Sequence, residues 1–573
     1  MQKKCYFSAM IFLLYLNVII SVVFSILLLV QNFSFNSVIA SILGLAFSGA
    51  LAFFSHEFIN KKNLRGLNGM RRMLSYLALA MMAVFIISRA YLENSPYVMD
   101  ILLAMLWFSI VVLSIITARI LNEKRVHKYF PDAPEEGEKK RGFFSEFFEW
   151  VDAAVWALGI VFLLNIFIFQ LYAIPSESMV PTFMIGDKVL GIKAASGPKF
   201  PLSSFRIPQL RKYKRGDVAI IRSPRYPITP ESELKTFVSQ LIYMFTFMQV
   251  NTNIDPATGK PKIDPLVKRI VGLPGEKIML VDGILYKKTK SDTEFKPVKK
   301  DEEFAQWNLE ELSPYDLRHV KRIPVKSEVL SRMESIEEKR KTVNFNVEHA
   351  EIEKALNEIS DIRNKIDTVT DIDNFLGTNE YVVSLMFSSN MEIAEKILKT
   401  DGGLAWLRAF ALSWTDSRIN TPQKKDSLYE LRCAQLNVLM KKNFVKLILR
   451  NIQLIAQNAS IETVKADTQR QMLLTEADNY NLYLAYSYGR NMNVFPKETD
   501  SYIPENEYFM VGDNRFNSHD LRHGKTSIVP LDDGDIMPFV YPSNIDPQTL
   551  PAEKILGLAV FKFWPPSRFG AVK

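Results

Sequence analysis

Two serines separated by a single residue stand between two prolines, shortly after a long apolar run. They are Ser176 and Ser178, within the stretch Ala173-Ile174-Pro175-Ser176-Glu177-Ser178-Met179-Val180-Pro181-Thr182. Pro175 and Pro181 restrict the backbone on both sides of the pair. A serine hydroxyl attacks a carbonyl only when a base accepts its proton. The stretch therefore indicates a candidate nucleophile near the end of an apolar helix, and it requires a base from elsewhere in the chain.

Histidine is the usual base for such a serine, and the sequence has six. Four of them lie beside apolar runs, or in a helical segment without a neighbouring Ser or Asp pattern: His56, His127, His319 and His349. His519 and His523 are spaced for metal binding on a helix, but Gly524 and the polar loop before them disfavour a helix. The sequence has no His-Glu-x-x-His pattern and only two cysteines. We therefore predict no metal site, and the predicted chemistry needs no cofactor.

Lysine is the alternative base, provided that its amine is neutral. An ordinary lysine has a pKa of ~10.4, and burial in an apolar pocket lowers that value. Lys268 lies in the apolar run Leu266-Val267-Lys268-Arg269-Ile270-Val271. In a strand, Lys268 and Arg269 face opposite ways. We expect one of them to enter the core and the other to stay solvated, and the spacing does not say which.

Four stretches, read together and in this order, resemble the sequence boxes of the type I signal peptidases, the bacterial leader peptidase family with a Ser/Lys dyad. They are Ser176-Glu177-Ser178-Met179, Arg215-Gly216-Asp217-Val218, Lys268-Arg269-Ile270-Val271-Gly272-Leu273-Pro274-Gly275 and Gly512-Asp513-Asn514-Arg515-Phe516-Asn517-Ser518-His519-Asp520-Leu521-Arg522. The resemblance covers roughly residues 150–305 and 500–573. It leaves out the first apolar runs and a long segment in the middle of the chain. Apolar residues recur at helical spacing over 352–366 and 436–455 of that segment, which predicts helices there. Asp282-Gly283, between two short apolar runs, predicts a β-hairpin.

The resemblance implies a membrane-bound endopeptidase that cleaves N-terminal signal peptides from exported preproteins after small-x-small sites. Ser178 would be the nucleophile and Lys268 the general base. The backbone N–H of Ser178 and the hydroxyl of Ser176 would form the oxyanion hole. Ser518 would orient the Lys268 amine by a hydrogen bond.

The resemblance also implies supporting and substrate-binding residues. Asp513 and Arg515 would pin the loop that carries Ser518, and Asp520 and Arg522 would support it. The small apolar pockets for the substrate would be lined by Ile174, Pro175, Met179, Phe183, Leu266 and Val267. An extended substrate would add as a strand beside residues 266–268 and beside the segment before Ser178.

Two positions depart from the family pattern, and they keep an alternative open. Phe516 stands where the family commonly has Asp, and Leu521 stands where it has Ser. The alternative is a catalytically weak homologue that acts as a membrane-anchored interaction module through its helical insertion. A Ser-x-x-Lys enzyme is disfavoured, because Ser196-Gly197-Pro198-Lys199 contains Gly-Pro and Ser232-Glu233-Leu234-Lys235 lacks the accompanying motifs.

Five apolar runs are long enough to cross a bilayer as helices. They cover residues 6–30, 37–55, 73–92, 98–118 and 151–171. Lys and Arg are concentrated at the N-terminus and in segments 56–72 and 119–147, which indicates that these lie in the cytoplasm. Arg89, at the far end of the third run, can snorkel to the interface. The pattern predicts a multi-pass protein of the cytoplasmic (inner) membrane, with a cytoplasmic N-terminus and the catalytic domain on the outer, periplasmic side.

The predicted fold class is integral membrane α+β: five transmembrane helices, then a mainly β signal-peptidase-type catalytic domain interrupted by a helical insertion. The predicted divisions are four transmembrane helices (1–122), a cytoplasmic loop (123–150), the fifth helix (151–172), the first segment of the catalytic β domain (173–304), the insertion (305–485) and the second segment of the catalytic β domain (486–573). Predicted partners are signal-peptide-bearing preproteins, the lipid bilayer and the secretion translocon. The net charge of +8 falls largely in loops beside apolar runs, so no nucleic-acid partner is predicted.

Overall fold

The structure is a computed structural model of the 573-residue chain. It describes the chain apart from residues 1, 32, 62–63, 93–95, 130–142, 247, 256–257, 261, 263, 282–283, 306–311, 319, 322–325, 369–375, 377–378, 421–426, 490–497, 516, 533 and 573. Predictions on Phe516, His319, the centre of the 123–150 loop and the Asp282-Gly283 turn fall outside the described residues.

The N-terminal third is a set of long apolar helices. These are α1 (Gln2–Gln31), α2 (Phe35–Lys61), α3 (Leu64–Arg89), α4 (Tyr97–Ile120) and α6 (Phe143–Phe167), with the short α5 (Glu123–Tyr129) before the last. Among the described residues, five helices are long and apolar enough to cross a membrane, as the sequence predicted. The fifth ends earlier than predicted, because residues from Phe169 onward pair in a sheet instead.

The prediction that Arg89 snorkels to the interface is wrong. Its side chain is buried and pairs with Asp100, which is also buried. Helices α3 and α4 pack against each other and bring the two opposite charges together. A buried charge is stable only when it is paired, so the pair replaces contact with water.

In the described chain, the strands follow the last of these long helices. They are β1 (Phe169–Ala173), β2 (Lys188–Ile192), β3 (Val218–Ile221), β4 (Leu266–Gly272), β5 (Glu276–Val281), β6 (Ile284–Thr289), β7 (Lys296–Pro297), β8 (Tyr381–Val382), β9 (Glu507–Val511), β10 (His523–Pro530), β11 (Phe539–Ile545), β12 (Leu550–Pro551), β13 (Ile555–Trp564) and β14 (Gly570–Ala571). The remaining helices are α7 (Pro230–Phe245), α8 (Lys299–Glu302), α9 (Pro314–Leu317), α10 (Ser327–Lys341), α11 (Phe345–Arg363), α12 (Val383–Ser388), α13 (Asn390–Lys399), α14 (Gly403–Asn420), α15 (Leu428–Ala456), α16 (Ile461–Ala466) and α17 (Thr468–Gly489).

A curled antiparallel sheet forms the β-rich unit, in the order β1-β2-β13-β3-β4-β9-β12, with β14 beside β13. Strands β4 and β9 are neighbours although the whole helical segment separates them in sequence. Strands β5 and β6 pair as the predicted hairpin. Helix α7 was not predicted; it begins at Pro230, and the side chain of the preceding Thr229 caps it.

Helices α10 to α17 pack around a core of their own. The predicted apolar repeats fall on α11 and α15, apart from Ile366, which lies just beyond α11. The buried residues Ile352, Leu356 and Leu436 come from these repeats. The hairpin of β10 and β11 also joins this core through Leu531 and Phe539. Some of the chain after residue 486 is therefore packed on the helices rather than on the curled sheet.

Candidate active site

Ser178 lies in the loop between β1 and β2, just beyond the end of α6. The base of this loop is closed by the Ile174 N–H, which donates to the Asp187 carbonyl at 2.8 Å. The Asp187 carboxylate accepts a hydrogen bond from the Met184 N–H at 2.9 Å and pairs with Arg568 at 3.1 Å. Both ends of the loop are thus fixed, which holds the serine in a defined position.

Asn514 attaches this loop to the segment of residues 512–522. Its N–H donates to the Ser178 carbonyl at 3.2 Å, and its side-chain amide donates to the Glu177 carbonyl at 3.1 Å. Ser176 is exposed, with its hydroxyl 3.4 Å from that of Ser178. The sequence placed Asn514 in a family box but assigned it no role. Its two bonds show that it joins the candidate nucleophile to the segment that carries Ser518.

Lys268 is 2% exposed in strand β4, between β3 and β9. Its Nζ donates to Ser518 Oγ at 3.0 Å. The Ser518 hydroxyl in turn donates to Asp520 Oδ2 at 2.6 Å. The Asp520 carboxylate is held by Arg522, with Nε 2.8 Å from Oδ1, and by the Gly512 N–H at 2.9 Å. The amine is therefore held in one position by a bonded chain of side chains.

Gly512 is the point at which the two halves of the site meet. A Cβ placed there would lie 2.1 Å from Ser518 Oγ and 2.3 Å from the carbonyl oxygen of Ser178. Both distances are far shorter than a van der Waals contact. Only a residue without a side chain lets the Ser178 loop and Ser518 approach each other this closely.

Burial sets the charge state of the Lys268 amine. Desolvation lowers the pKa of Lys268 to about 8, although the Asp520 carboxylate acts in the opposite direction. Desolvation also opposes ionisation of Asp520, but Arg522 outweighs it and holds the pKa of Asp520 well below its usual range. The site thus pairs a permanent carboxylate with an amine that loses its proton far more readily than an ordinary lysine.

Arg269, the neighbour of Lys268, is also buried. The expectation that one of the two stays solvated is wrong, although they do occupy successive positions of one strand. Arg269 has its own carboxylate partner, Asp513, at 2.8 and 2.7 Å from its Nε and Nη2. Thr182 donates to Asp513 at 2.5 Å. Asp513 therefore links the 512–522 segment to β4 and to the loop of Ser178.

Sequence reasoning missed two contributors to the site, Asp301 and Phe304, because they lie outside the family boxes. Arg515 donates to both oxygens of Asp301 in α8, at 2.8 and 2.9 Å, and both side chains are buried. Phe304 lies just after α8, and the Arg269 guanidinium sits over its ring. The guanidinium carbon is 3.7 Å from the centroid of the Phe304 ring. No local pattern marks either residue, since their partners are distant in sequence. They enclose the arginines that brace the site.

A groove of about 240 Å³ leads to Ser178. Of the predicted substrate-binding residues, five line it: Ile174, Pro175, Met179, Leu266 and Val267. Phe183 differs, because its side chain is fully buried in the cluster beneath that includes Met179. Helix α7 adds a wall that was not predicted, with Thr236, Ser239, Gln240 and Tyr243.

One wall of the groove is a partly unpaired strand. Residues 266–269 of β4 pair with β3 on one side. On the other side, β9 begins to pair only at Arg269. Among the described residues, residues 266–268 thus pair with a strand on the β3 side alone. The opposite edge of their backbone has no described strand beside it. This edge can accept an extended peptide.

Leu521, the one of the two departures from the family pattern that the structure describes, lies in the core. Leu521 is 5% exposed and belongs to the buried cluster of Ile270 and Phe509. Its N–H donates to the Met510 carbonyl at 3.3 Å. An apolar side chain at this position therefore anchors the segment of Ser518 by packing.

His519 and His523 stack on each other at 4.9 Å between ring centroids. The described residues contain no group of three or more ligands that could hold a metal.

Comparison with known proteins points to one family. Residues 147–340 match the family described as "Signal peptidase, peptidase S26". The resemblance to type I signal peptidases is thereby confirmed. Signal peptidase I of Buchnera aphidicola subsp. Schizaphis graminum is 31% identical over 119 residues, 21% of this chain and 27% of the relative. Signal peptidase I of Haemophilus influenzae is 30% identical over 145 residues, 25% of this chain and 39% of the relative.

A more distant relative covers a larger share of its own length. Signal peptidase I of Bacillus licheniformis is 24% identical over 149 residues, 26% of this chain and 54% of that relative. The chain thus spans between about a quarter and a half of the curated relatives that it matches. The S26 match begins within α6 and ends within α10, so it leaves out α1 to α5 and also the predicted second stretch of the resemblance, residues 500–573.

Proposed function

We propose that this protein is a membrane-bound serine endopeptidase that removes N-terminal signal peptides from exported preproteins after small-x-small sites. The observation that carries the proposal is the buried Lys268 amine, which is bonded to Ser518, together with the close approach of Ser518 to the loop of Ser178 at Gly512. The open groove that ends at this loop supports it. The relatives that bear the name signal peptidase I provide the substrate class.

In the proposed acylation step, the neutral Lys268 amine accepts the proton of Ser178 as Ser178 Oγ attacks the scissile carbonyl carbon. The oxyanion receives hydrogen bonds from the Ser178 N–H and the Ser176 hydroxyl. The Lys268 ammonium then protonates the leaving amine as the C–N bond breaks. This releases the mature protein and leaves the signal peptide as an ester on Ser178.

Deacylation repeats the sequence with water. Lys268 accepts a proton from the water molecule as its oxygen attacks the ester carbonyl. The C–O bond to Ser178 breaks, and the ammonium returns the proton to the serine oxygen. Ser518 and Asp520 keep the amine in position throughout, since Ser518 can accept from Lys268 while donating to Asp520. They are positioning residues and do not touch the reacting carbonyl.

The groove accounts for the substrate specificity in this proposal. An extended peptide would pair with the free edge of residues 266–268 and run beside residues 170–175. Ser178 lines the groove together with the apolar side chains of Ile174, Met179 and Val267. The groove has a volume of about 240 Å³ and must hold both the backbone and the side chains of the substrate. It therefore favours small residues just before the scissile bond.

The proposed location follows from the five apolar helices. We place them across the cytoplasmic (inner) membrane, with the N-terminus in the cytoplasm and the catalytic unit on the outer face. The bilayer, preproteins and the secretion translocon are the proposed partners, and nucleic acid is not among them. The proposed mechanism uses no cofactor.

The experiment that tests the function is cleavage of a preprotein by the detergent-solubilised protein, with the product ends read by mass spectrometry. We expect wild type to cut after a small-x-small site and Ser178→Ala to give no product. Leu210→Ala, at an exposed site in the same unit, is the matched control and should cut like wild type. Cutting by Ser178→Ala, or no cutting by a folded wild type, would contradict the proposal.

The pH dependence of cleavage should follow the Lys268 amine. Only the neutral amine can accept the serine proton, and its pKa is lowered to about 8. We therefore expect kcat/KM to rise as pH increases, about tenfold per unit below that pKa, and to level off above it. Stopped assays between pH 6 and pH 10 would check this. A rate that is flat over pH 6–8 would contradict a lysine base of this pKa.

A further inference from the structure

The β-rich unit has a second attachment to the apolar helices besides α6. It is the docking loop, residues 197–207, which follows β2 and is closed by bonds from Phe200 N to the Phe205 carbonyl (2.9 Å) and from Ile207 N to the Pro198 carbonyl (3.1 Å). Gly197 has a φ of +70°, and a Cβ there would lie 2.3 Å from the Ile207 carbonyl oxygen. The loop is therefore compact and internally bonded.

Phe200 is the apolar component of this attachment. Its side chain is fully buried and belongs to the core of the apolar helices rather than to the core of the sheet. The centroid of its ring lies 4.9 Å from that of Phe85 (α3), 5.6 Å from Trp107 (α4) and 5.7 Å from Phe167 (α6). One side chain of the β-rich unit thus packs against three separate helices.

Asp100 is the polar component of the attachment. Its Oδ2 accepts hydrogen bonds from both the N–H and the hydroxyl of Ser204, each at 2.7 Å. Its other oxygen pairs with the buried Arg89. The charge pair within the helices is therefore completed by the loop, and hydrogen bonds to a buried carboxylate are among the stronger kinds.

The other end of the loop is fixed to the centre of the sheet. Arg206 donates to the carbonyl oxygens of Ser196 at 3.4 Å and Ile555 at 3.3 Å, and also to that of Glu553. Ile555 begins β13, which lies between β2 and β3. Rigid contacts therefore run from α3 and α4, through the loop, to the sheet that carries the site.

Helix α6 alone would hold the sheet loosely. Only 6% of its most apolar stretch is buried, against 33–39% for the other four candidate spans. A unit suspended from one lightly packed helix can tilt, whereas two separate attachments fix both its height and its orientation. The groove begins at β1, directly beyond α6, so its position relative to the helices depends on this second attachment.

We infer that the docking loop sets the position of the active site above the bilayer, and that it thereby selects preproteins by the distance between their apolar segment and the cleavage site. The inference rests on the proposed function. A substrate anchored in the same bilayer reaches a fixed groove with a fixed length of extended chain. Moving its cleavage site by two residues displaces the scissile bond by about 7 Å, which a rigidly held groove does not follow.

The test uses one full-length preprotein with its cleavage site in register or displaced by two residues, together with a soluble peptide that carries the same site. All are cut by the full-length enzyme in lipid nanodiscs. For wild type we expect kcat/KM to fall about a hundredfold on displacement. For Phe200→Ala we expect the loss to shrink to about tenfold, while the soluble peptide is cut as by wild type. Phe200→Leu, which keeps an apolar side chain in the cavity, should lie between them.

Two further variants keep the outcome decisive. Ser204→Ala removes one of the two bonds to Asp100 without emptying the aromatic cavity, so it should weaken discrimination even if Phe200→Ala does not fold. Leu210→Ala, 75% exposed just beyond the loop, should discriminate like wild type. Equal cutting of both preproteins by wild type would overturn the inference, as would unchanged discrimination in a Phe200→Ala protein whose loop has become accessible to protease. Failure of wild type to cut even the soluble peptide would remove the proposed function itself.

Discussion

Replacing Lys268 by methionine should abolish cleavage while leaving the protein folded. Methionine fills the space of the buried stem but cannot accept the Ser178 proton, so we expect kcat/KM to fall by about four orders of magnitude. Stability should change little, because Ser518 keeps its bond to Asp520 and the desolvation cost of the buried Lys268 amine is removed with the amine. Preprotein cleavage and thermal unfolding of the same preparation would measure both effects.

The matched control is Lys441→Met in the helical unit. Lys441 is as buried as Lys268, and burial likewise lowers its pKa to about 8. It pairs with the buried Asp535, which would lose its ammonium partner, so the free energy of unfolding should fall by about 3–5 kcal/mol. The folded Lys441→Met protein should still cut preproteins. Equal activity of Lys268→Met and wild type would refute the dyad, and equal loss in both variants would assign the effect to stability alone.

The second large effect is expected for Gly512→Ala. The added methyl group would collide with Ser518 Oγ and the Ser178 carbonyl, which lie 2.1 and 2.3 Å from its position. Both atoms belong to tightly bonded segments, so the loop of Ser178 and the segment of Ser518 must move apart. We expect kcat to fall by about a hundredfold or more and the protein to lose about 1–3 kcal/mol of stability.

The control for Gly512→Ala is Gly49→Ala in α2, where a Cβ would meet nothing within 4 Å. That change should leave kcat unaltered, and alanine in a helix is neutral or favourable. Single-turnover cleavage would separate a slower chemical step from weaker substrate binding. A Gly512→Ala enzyme with wild-type kcat would show that the Ser178 loop and Ser518 need not meet as closely as the structure places them.

Much of the fold could be read from local patterns. Apolar runs of about 20 residues specified the long helices, and apolar repeats at helical spacing specified α11 and α15. Alternating runs with turn residues specified the β5–β6 hairpin, since pairing of neighbouring strands needs only local information. Helix α7 was missed, although Thr229-Pro230 is a recognisable start signal for a helix.

The sequence by itself determined the candidate chemistry: a serine beyond an apolar helix, a lysine in an apolar strand, and boxes that resemble one family. Only the tertiary structure decided what surrounds these groups. It buried Arg269 beside Lys268 by supplying Asp513, and it gave Arg515 the carboxylate of Asp301. It also paired Arg89 with Asp100 and completed that pair with Ser204. The physical reason is that burial of a charge depends on partners brought from distant regions of the chain, and spacing along the sequence does not specify them.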